Sequence, residues 1–216
     1  MRERFHEQLD ELKSGMLDMI GRTNLAIKWA VDSFMTNDRE LAHKVIGGDL
    51  ELNRLAKDIQ HDCTLLIALQ QPMARDLRLI ESIYKTQIDA ERMGDLAVDI
   101  AKLTLDMSTE VNHEFGDVLS EMYSITESML NEALEAFGTR NLELAYSVAK
   151  KDDAVDRMFY SIREKLIQHM IEKGKRIPDY SRVIFAAWYI ERVADHITNI
   201  CESVIYDISG EIVELN

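Results

Sequence analysis

Two prolines and nine glycines in 216 residues leave the chain few places to turn, which excludes an architecture of many short strands and favours long helices. Positive charge is also scarce. The 25 Lys and Arg face 39 Asp and Glu, a net of −14. That balance excludes a surface built to neutralise nucleic-acid phosphates, and it disfavours direct capture of a free anion unless bound cations invert the local field. The two cysteines, Cys63 and Cys201, lack CxxC spacing and read as reduced, half-buried thiols rather than a disulfide pair. No run of 18 apolar residues occurs, and the opening MRERFHEQLD has no apolar signal-peptide core. The expectation is a soluble cytoplasmic protein without direct membrane insertion, reaching a membrane only through a partner. Catalytic signatures are missing too: no Gly-rich phosphate loop, no nucleophile elbow, and no Cys-His or Ser-His pair at meaningful spacing.

What is there is helical periodicity. Phe5, Leu9, Leu12, Met16, Met19, Ile20, Ile27 and Ala30 mark a first helix near 3–36. Asp38 is placed to cap a second, running to about Gln71 before Pro72 breaks it. A third spans about 76–107, and the polar stretch STEVNHEFGD near 108–117 is the best linker. A fourth helix follows to Phe137, a fifth spans about 141–173, KGKRIPD makes the next turn, and a sixth covers about 180–208. Gly47-Gly48 predicts a local kink in the second helix. The eleven methionines read as core filler, and Trp29 and Trp188 as packing residues.

The two halves are copies. At an offset of 103, Phe34, Thr36, Glu40, Leu41, Ala42, Val45 and Asp49 match Phe137, Thr139, Glu143, Leu144, Ala145, Val148 and Asp152. A repeat of three helices implies an all-α fold of two tandem antiparallel three-helix bundles, divided at 108/109 into residues 1–108 and 109–216.

Acidic stripes carry the functional signal. AERMGDLAVDIAK at 90–102 holds Glu91, Arg92, Asp95 and Asp99; IERVADHITNICE at 190–202 holds Glu191, Arg192, Asp195 and Asn199. These align at an offset of 100, so about three residues are lost between the second and third helices of the later copy. Residues four apart share a helix face, and like charges there cost roughly 0.2–0.5 kcal/mol per pair. A repeated stripe of mutually repelling carboxylates therefore needs a positive partner, Arg or a metal ion. Residues equidistant from a hairpin turn lie side by side. Asp49 and Asn53 thus face Glu91 and Asp95, and Asp152 and Asp156 face Glu191 and Asp195, each set about 30 Å from its turn at 1.5 Å per residue. All-oxygen sets suit Mg, Ca, Mn or iron, with His196 or Asn199 able to modify the second.

A lone ExxxD on an acidic helix is ordinarily just solvated, and Arg92 and Arg192 supply local counter-charges for Asp95 and Asp195. Duplication of the whole set at matched heights tips the balance toward metal. Glu40-x-x-His43 matches half of a di-iron signature, but its counterpart ends in Tyr146, so a ferritin-like site is rejected. A metal-dependent phosphoesterase remains the alternative to a binding role.

The duplicated ERxGD and ERxxDHxxNI (Glu91–Asp95, Glu191–Ile200), the DxxxN and DxxxD before them (Asp49–Asn53, Asp152–Asp156) and QxPxARDLR at Gln70–Arg78 together resemble the PhoU family of phosphate-transport regulators. The resemblance runs the length of the chain. It implies one metal site per bundle, iron or zinc first, with ligands Asp49, Asn53, Glu91, Asp95 and Asp99 in one and Asp152, Asp156, Glu191, Asp195 and Asn199 in the other. It further implies a cytoplasmic homodimer that is not an enzyme. Such a protein contacts the ATPase subunit of the phosphate ABC importer and a phosphate-sensing histidine kinase, and represses phosphate uptake and the starvation response. Leu96 stands where the second copy has His196, which predicts unlike sites.

Overall fold

Apolar residues every three to four positions generate helices along almost the whole chain, and sparse turn residues decide where they end. The computed structural model describes residues 2–111, 113–174 and 176–215, the side chains of residues 2, 3 and 173 excepted. Seven helices lie among the described residues: α1 (Arg2–Thr36), α2 (Arg39–Gln70), α3 (Arg75–Asp106), α4 (His113–Thr139), α5 (Leu142–Ala149), α6 (Asp152–Lys173) and α7 (Ile177–Ser209). The first three form one group. In the second group α5 and α6 together take the place that α2 holds in the first, so the tandem three-helix architecture stands.

The expected fifth helix is thus two. Lys151 N–H bonds to Val148 O and Ala154 N–H to Lys151 O, three-residue closures that tighten the backbone at the lysine pair. Lys151 Nζ then reaches α4, donating to Ser128 Oγ at 3.2 Å and to the Glu132 carboxylate. Helix α2, by contrast, passes through Gly47 and Gly48 without a break. The linker is also shorter than predicted. Helix α4 starts at His113, since Phe115 is buried and packs edge-on against His169 and Tyr180, with centroids 5.1 and 5.9 Å away. Asn112 of that linker and Lys175 of the KGKRIPD turn lie outside the described residues.

The turns repeat the duplication in backbone form. Asn37 and Arg140 both adopt positive φ, at 50° and 56°, and each precedes an N-cap. Asp38 accepts from Leu41 N–H at 3.0 Å, and Asn141 accepts from Leu144 N–H at 3.1 Å. The α2–α3 turn pairs Gln71 with Gly174 and Ala74 with Arg176, all four at positive φ. One residue is lost inside the later turn. The rest of the shortening is at the start of α7, whose first turn accommodates Pro178 without loss of a helical hydrogen bond.

The bundles lie side by side through α3 and α7, which run antiparallel. Ser82 Oγ donates to Ser203 O at 2.8 Å, and Tyr206 OH to Glu81 Oε2 at 2.8 Å. Near one end of the seam, Arg78 Nε reaches Asp207 O at 3.4 Å. The two hairpin turns therefore sit at opposite ends of the molecule. One buried core runs through both groups and takes in Met16, Met19, Met93, Met122 and Met129, whereas Met73 is exposed. Trp29 packs partly buried, with Lys44 Nζ 3.7 Å above its ring. Trp188 does not pack as expected: it stands on the surface of α7. No helix among the described residues is long and apolar enough to cross a membrane. If the repeated caps start their helices equivalently, Asp38→Ala and Asn141→Ala each lower unfolding free energy by about 1 kcal/mol in urea titrations.

Candidate metal centre

Each acidic set forms where two helices of a hairpin approach closely. A Cβ on Gly94 would lie 3.3 Å from Leu52 Cδ1, so the glycine of ERMGD lets α2 and α3 meet at the level of the acids. At the matching positions of the second copy stand Ala194 and Val155, both fully buried. Packing thus sets the height at which the polar side chains converge.

In the first basin Asn53 Nδ2 donates to Asp49 Oδ2 at 2.8 Å, which leaves Asn53 Oδ1 buried and without a partner. Burial raises the Asp49 carboxyl above its ordinary range. The charge of Asp95 adds to the rise, and Asn53 and Lys102 oppose it. Glu91 is likewise raised, first by burial and then by Asp95, against the pull of Arg92. Arg92 is a loose counter-ion, 3.8 Å from Glu91 and 3.5 Å from Asp95.

The second basin is drier and more repulsive. Asp152 Oδ1 and Glu191 Oε2 are both buried and unpartnered. Burial pushes the Asp152 carboxyl up to about 7, with further contributions from Asp195, Asp156 and Asp153. Glu191 is also pushed up to about 7 by burial, then by Asp195 and Asp156, with Arg192 opposing. Asp156 and Asp195 are raised, burial again coming first. Arg192 holds Asp195 from solvent at 3.0 Å. The counter-charges expected for the motif arginines are therefore present, tighter in the second copy than in the first.

Asp99 and Asn199, the last members of the stripes, are engaged elsewhere. Asp99 accepts from Lys102 Nζ at 2.9 Å, and its charge lifts the Tyr189 phenol together with burial. Asn199 Nδ2 donates to Asp89 Oδ1 at 3.1 Å, and His196 Nδ1 lies 2.9 Å from the same oxygen. Both stripes thus turn at their far ends into the α3–α7 seam. Sequence reasoning missed Asp89. The available signal was a break in the repeat, since Tyr189 occupies the matching position.

Among the described residues no three His, Cys, Asp or Glu side chains close into a finished ion cage. The donors are nonetheless of the right kind for a hard cation: carboxylate and amide oxygens, three of them buried with unused lone pairs.

The PhoU domain family matches the chain twice, over residues 16–104 and 119–204. The chain is 36% identical over 216 residues, 100% of its own length and 99% of the relative's, to the phosphate-specific transport system accessory protein PhoU homolog of Clostridium acetobutylicum. The crystal structure of the phosphate transport system regulatory protein PhoU from Streptococcus pneumoniae matches it with a TM-score of 0.90 at 32% identity, covering 97% of this chain and 99% of that one. PhoU from Pseudomonas aeruginosa matches with a TM-score of 0.91 at 33% identity, covering 96% and 100%.

The raised carboxyls fix the sign of a pH effect. Asp152 and Glu191 move up to about 7 from 3.8 and 4.5, so the folded chain binds more protons than the unfolded chain across that interval. Stability in chelator is therefore greatest below the unfolded values and falls as pH rises toward about 7. Urea midpoints measured through that range decline in the wild type and stay flatter in the Asp152→Asn, Glu191→Gln double variant.

Proposed function

The chain belongs to the PhoU family, and on that premise we propose that it is a non-enzymatic, metal-binding regulator of phosphate homeostasis that acts through protein contacts. It works in the cytoplasm, as a homodimer, as a negative regulator of high-affinity phosphate uptake and of the starvation response. Its partners are the ATPase subunit of a phosphate ABC importer, which brings it to the membrane face, and a phosphate-sensing histidine kinase. The regulatory role follows the names of the relatives, which are accessory and regulatory proteins of phosphate transport.

The metal half of the reading is carried by one observation: unpartnered, buried acceptor oxygens occur in both acidic sets, on Asn53 in the first and on Asp152 and Glu191 in the second. Native proteins rarely leave such atoms unsatisfied. Iron or zinc, or alternatively Mn or Mg, would be held by Asp49, Asn53, Glu91 and Asp95 in one bundle and by Asp152, Asp156, Glu191 and Asp195 in the other. Asp99 and Asn199 would join these sets on release from Lys102 and Asp89. A bound cation supplies charge neutralisation and a cross-link from α2 to α3 and from α6 to α7. The protein's own contribution is orientation: close helix packing at Gly94 and Ala194 holds the carboxylates together, and Arg92 and Arg192 limit their repulsion meanwhile.

Elemental analysis of untagged protein should find more than one metal ion per chain. Replacing Asp95 and Asp195 together by Ala should lower both metal content and melting temperature. Full retention of metal by that variant would refute the ligand assignment, and turnover of a phosphate ester that tracks metal loading would refute the non-enzymatic role. A pull-down with the importer's ATPase subunit checks the partner.

A further inference from the structure

The α6–α7 hairpin carries a ladder of large apolar side chains on its outer surface. Tyr160, Ile167 and Ile171 on α6 are 53%, 45% and 73% exposed, and Ile177, Phe185 and Trp188 on α7 are 48%, 48% and 41% exposed. Measured from the turn at 174–176, Tyr160 is level with Trp188, Ile167 with Phe185, and Ile171 with Ile177. The rungs span the hairpin from its turn to the rim of the second acidic basin.

The first copy is an internal control. At the positions of Tyr160, Ile167, Ile171 and Phe185 it carries Lys57, Thr64, Ala68 and Lys85, all exposed. Around Lys57 it leaves an open hollow of about 390 Å³ with a mixed lining, Leu50 and Ile88 standing beside Asn53, Gln60, Gln87 and Glu91. The corresponding place in the second copy holds Tyr160 and Trp188, with the Arg163 guanidinium 5.0 Å from the Tyr160 ring. At the positions of Ile177 and Trp188 the first copy also exposes apolar residues, Leu77 and Ile88, so the two hairpins differ at the other four, where the same fold forms without large apolar side chains. Contiguous apolar surface of this extent marks an interaction site.

We infer that this face is the self-association surface of the chain, taking a second copy of the same hairpin about a two-fold axis near Ile167 and Phe185. This rests on the reading of the protein as a homodimer and adds which face makes the contact. Two features favour a second copy as occupant. Antiparallel self-docking puts apolar rung on apolar rung at every height, as an isologous interface demands. The exposed parts of the six side chains amount to roughly 600 Å², most of the about 800 Å² per partner that a stable interface buries.

Sedimentation velocity of the full chain in excess chelator should show a dimer at micromolar concentration. The Tyr160→Lys, Phe185→Lys double variant installs the residues that the first copy carries, and should weaken the dimer at least about 30-fold, as expected for hot-spot loss, with its helical melting curve unchanged. As a measurement independent of that variant, Ile167→Cys should cross-link to itself under mild oxidation while Thr64→Cys does not. The native Cys63 and Cys201 are buried and do not compete. A wild type that stays monomeric overturns both the homodimer and this face. A dimer indifferent to the double variant, with no Ile167→Cys cross-link, overturns the face alone.

Discussion

Apolar packing in this molecule forces like charges together. Around the second basin Val155, Ile190, Val193 and Ala194 are essentially fully buried, and burying an aliphatic side chain of the larger kind contributes about 1.5–3 kcal/mol. A carboxylate pair four residues apart on an isolated, solvated helix opposes this by only roughly 0.2–0.5 kcal/mol, and in the basin burial itself adds to the penalty on the charged acids. The core sets the height at which the acids meet, and the acids respond by drawing protons, with Asp152 and Glu191 both pushed up to about 7. A cation held between the helices relieves the same repulsion without needing a proton.

The two copies use one scaffold for different ends. Gly94 meets Leu52 in the first, where the second has buried Ala194 and Val155 at the matching positions. The basins they create are unlike: the first is eased by an Asn53–Asp49 hydrogen bond, the second has four carboxylates and a tighter arginine. Across the seam the symmetry breaks further, since Asp89 gathers His196 and Asn199, whereas its counterpart Tyr189 lies near Asp99.

The hairpins, the Asp38 cap and the approach of Asp49 and Asn53 to Glu91 and Asp95 were legible because helical spacing and equal distance from a turn are local arithmetic. The duplication supplied a check on each. What escaped depended on contacts between distant segments. The break at Lys150–Lys151 is accompanied by a reach to Ser128 and Glu132 on another helix. The early start of α4 comes from Phe115 meeting His169 and Tyr180. Asp89 mattered only once α3 and α7 were laid antiparallel. Trp188 was misplaced for a different reason: its size reads as core, and nothing in helical periodicity distinguishes a buried tryptophan from one turned outward.

The antiparallel seam has a mechanical corollary. With 32 residues, α3 is about 48 Å long, and α7 is its near equal running the other way, so the α2–α3 and α6–α7 turns lie at opposite extremities. Bodies gripping the two loops need not jostle for space. The two rods are glued lengthwise, so neither hairpin can swing against the other without shearing seam contacts such as Ser82 to Ser203.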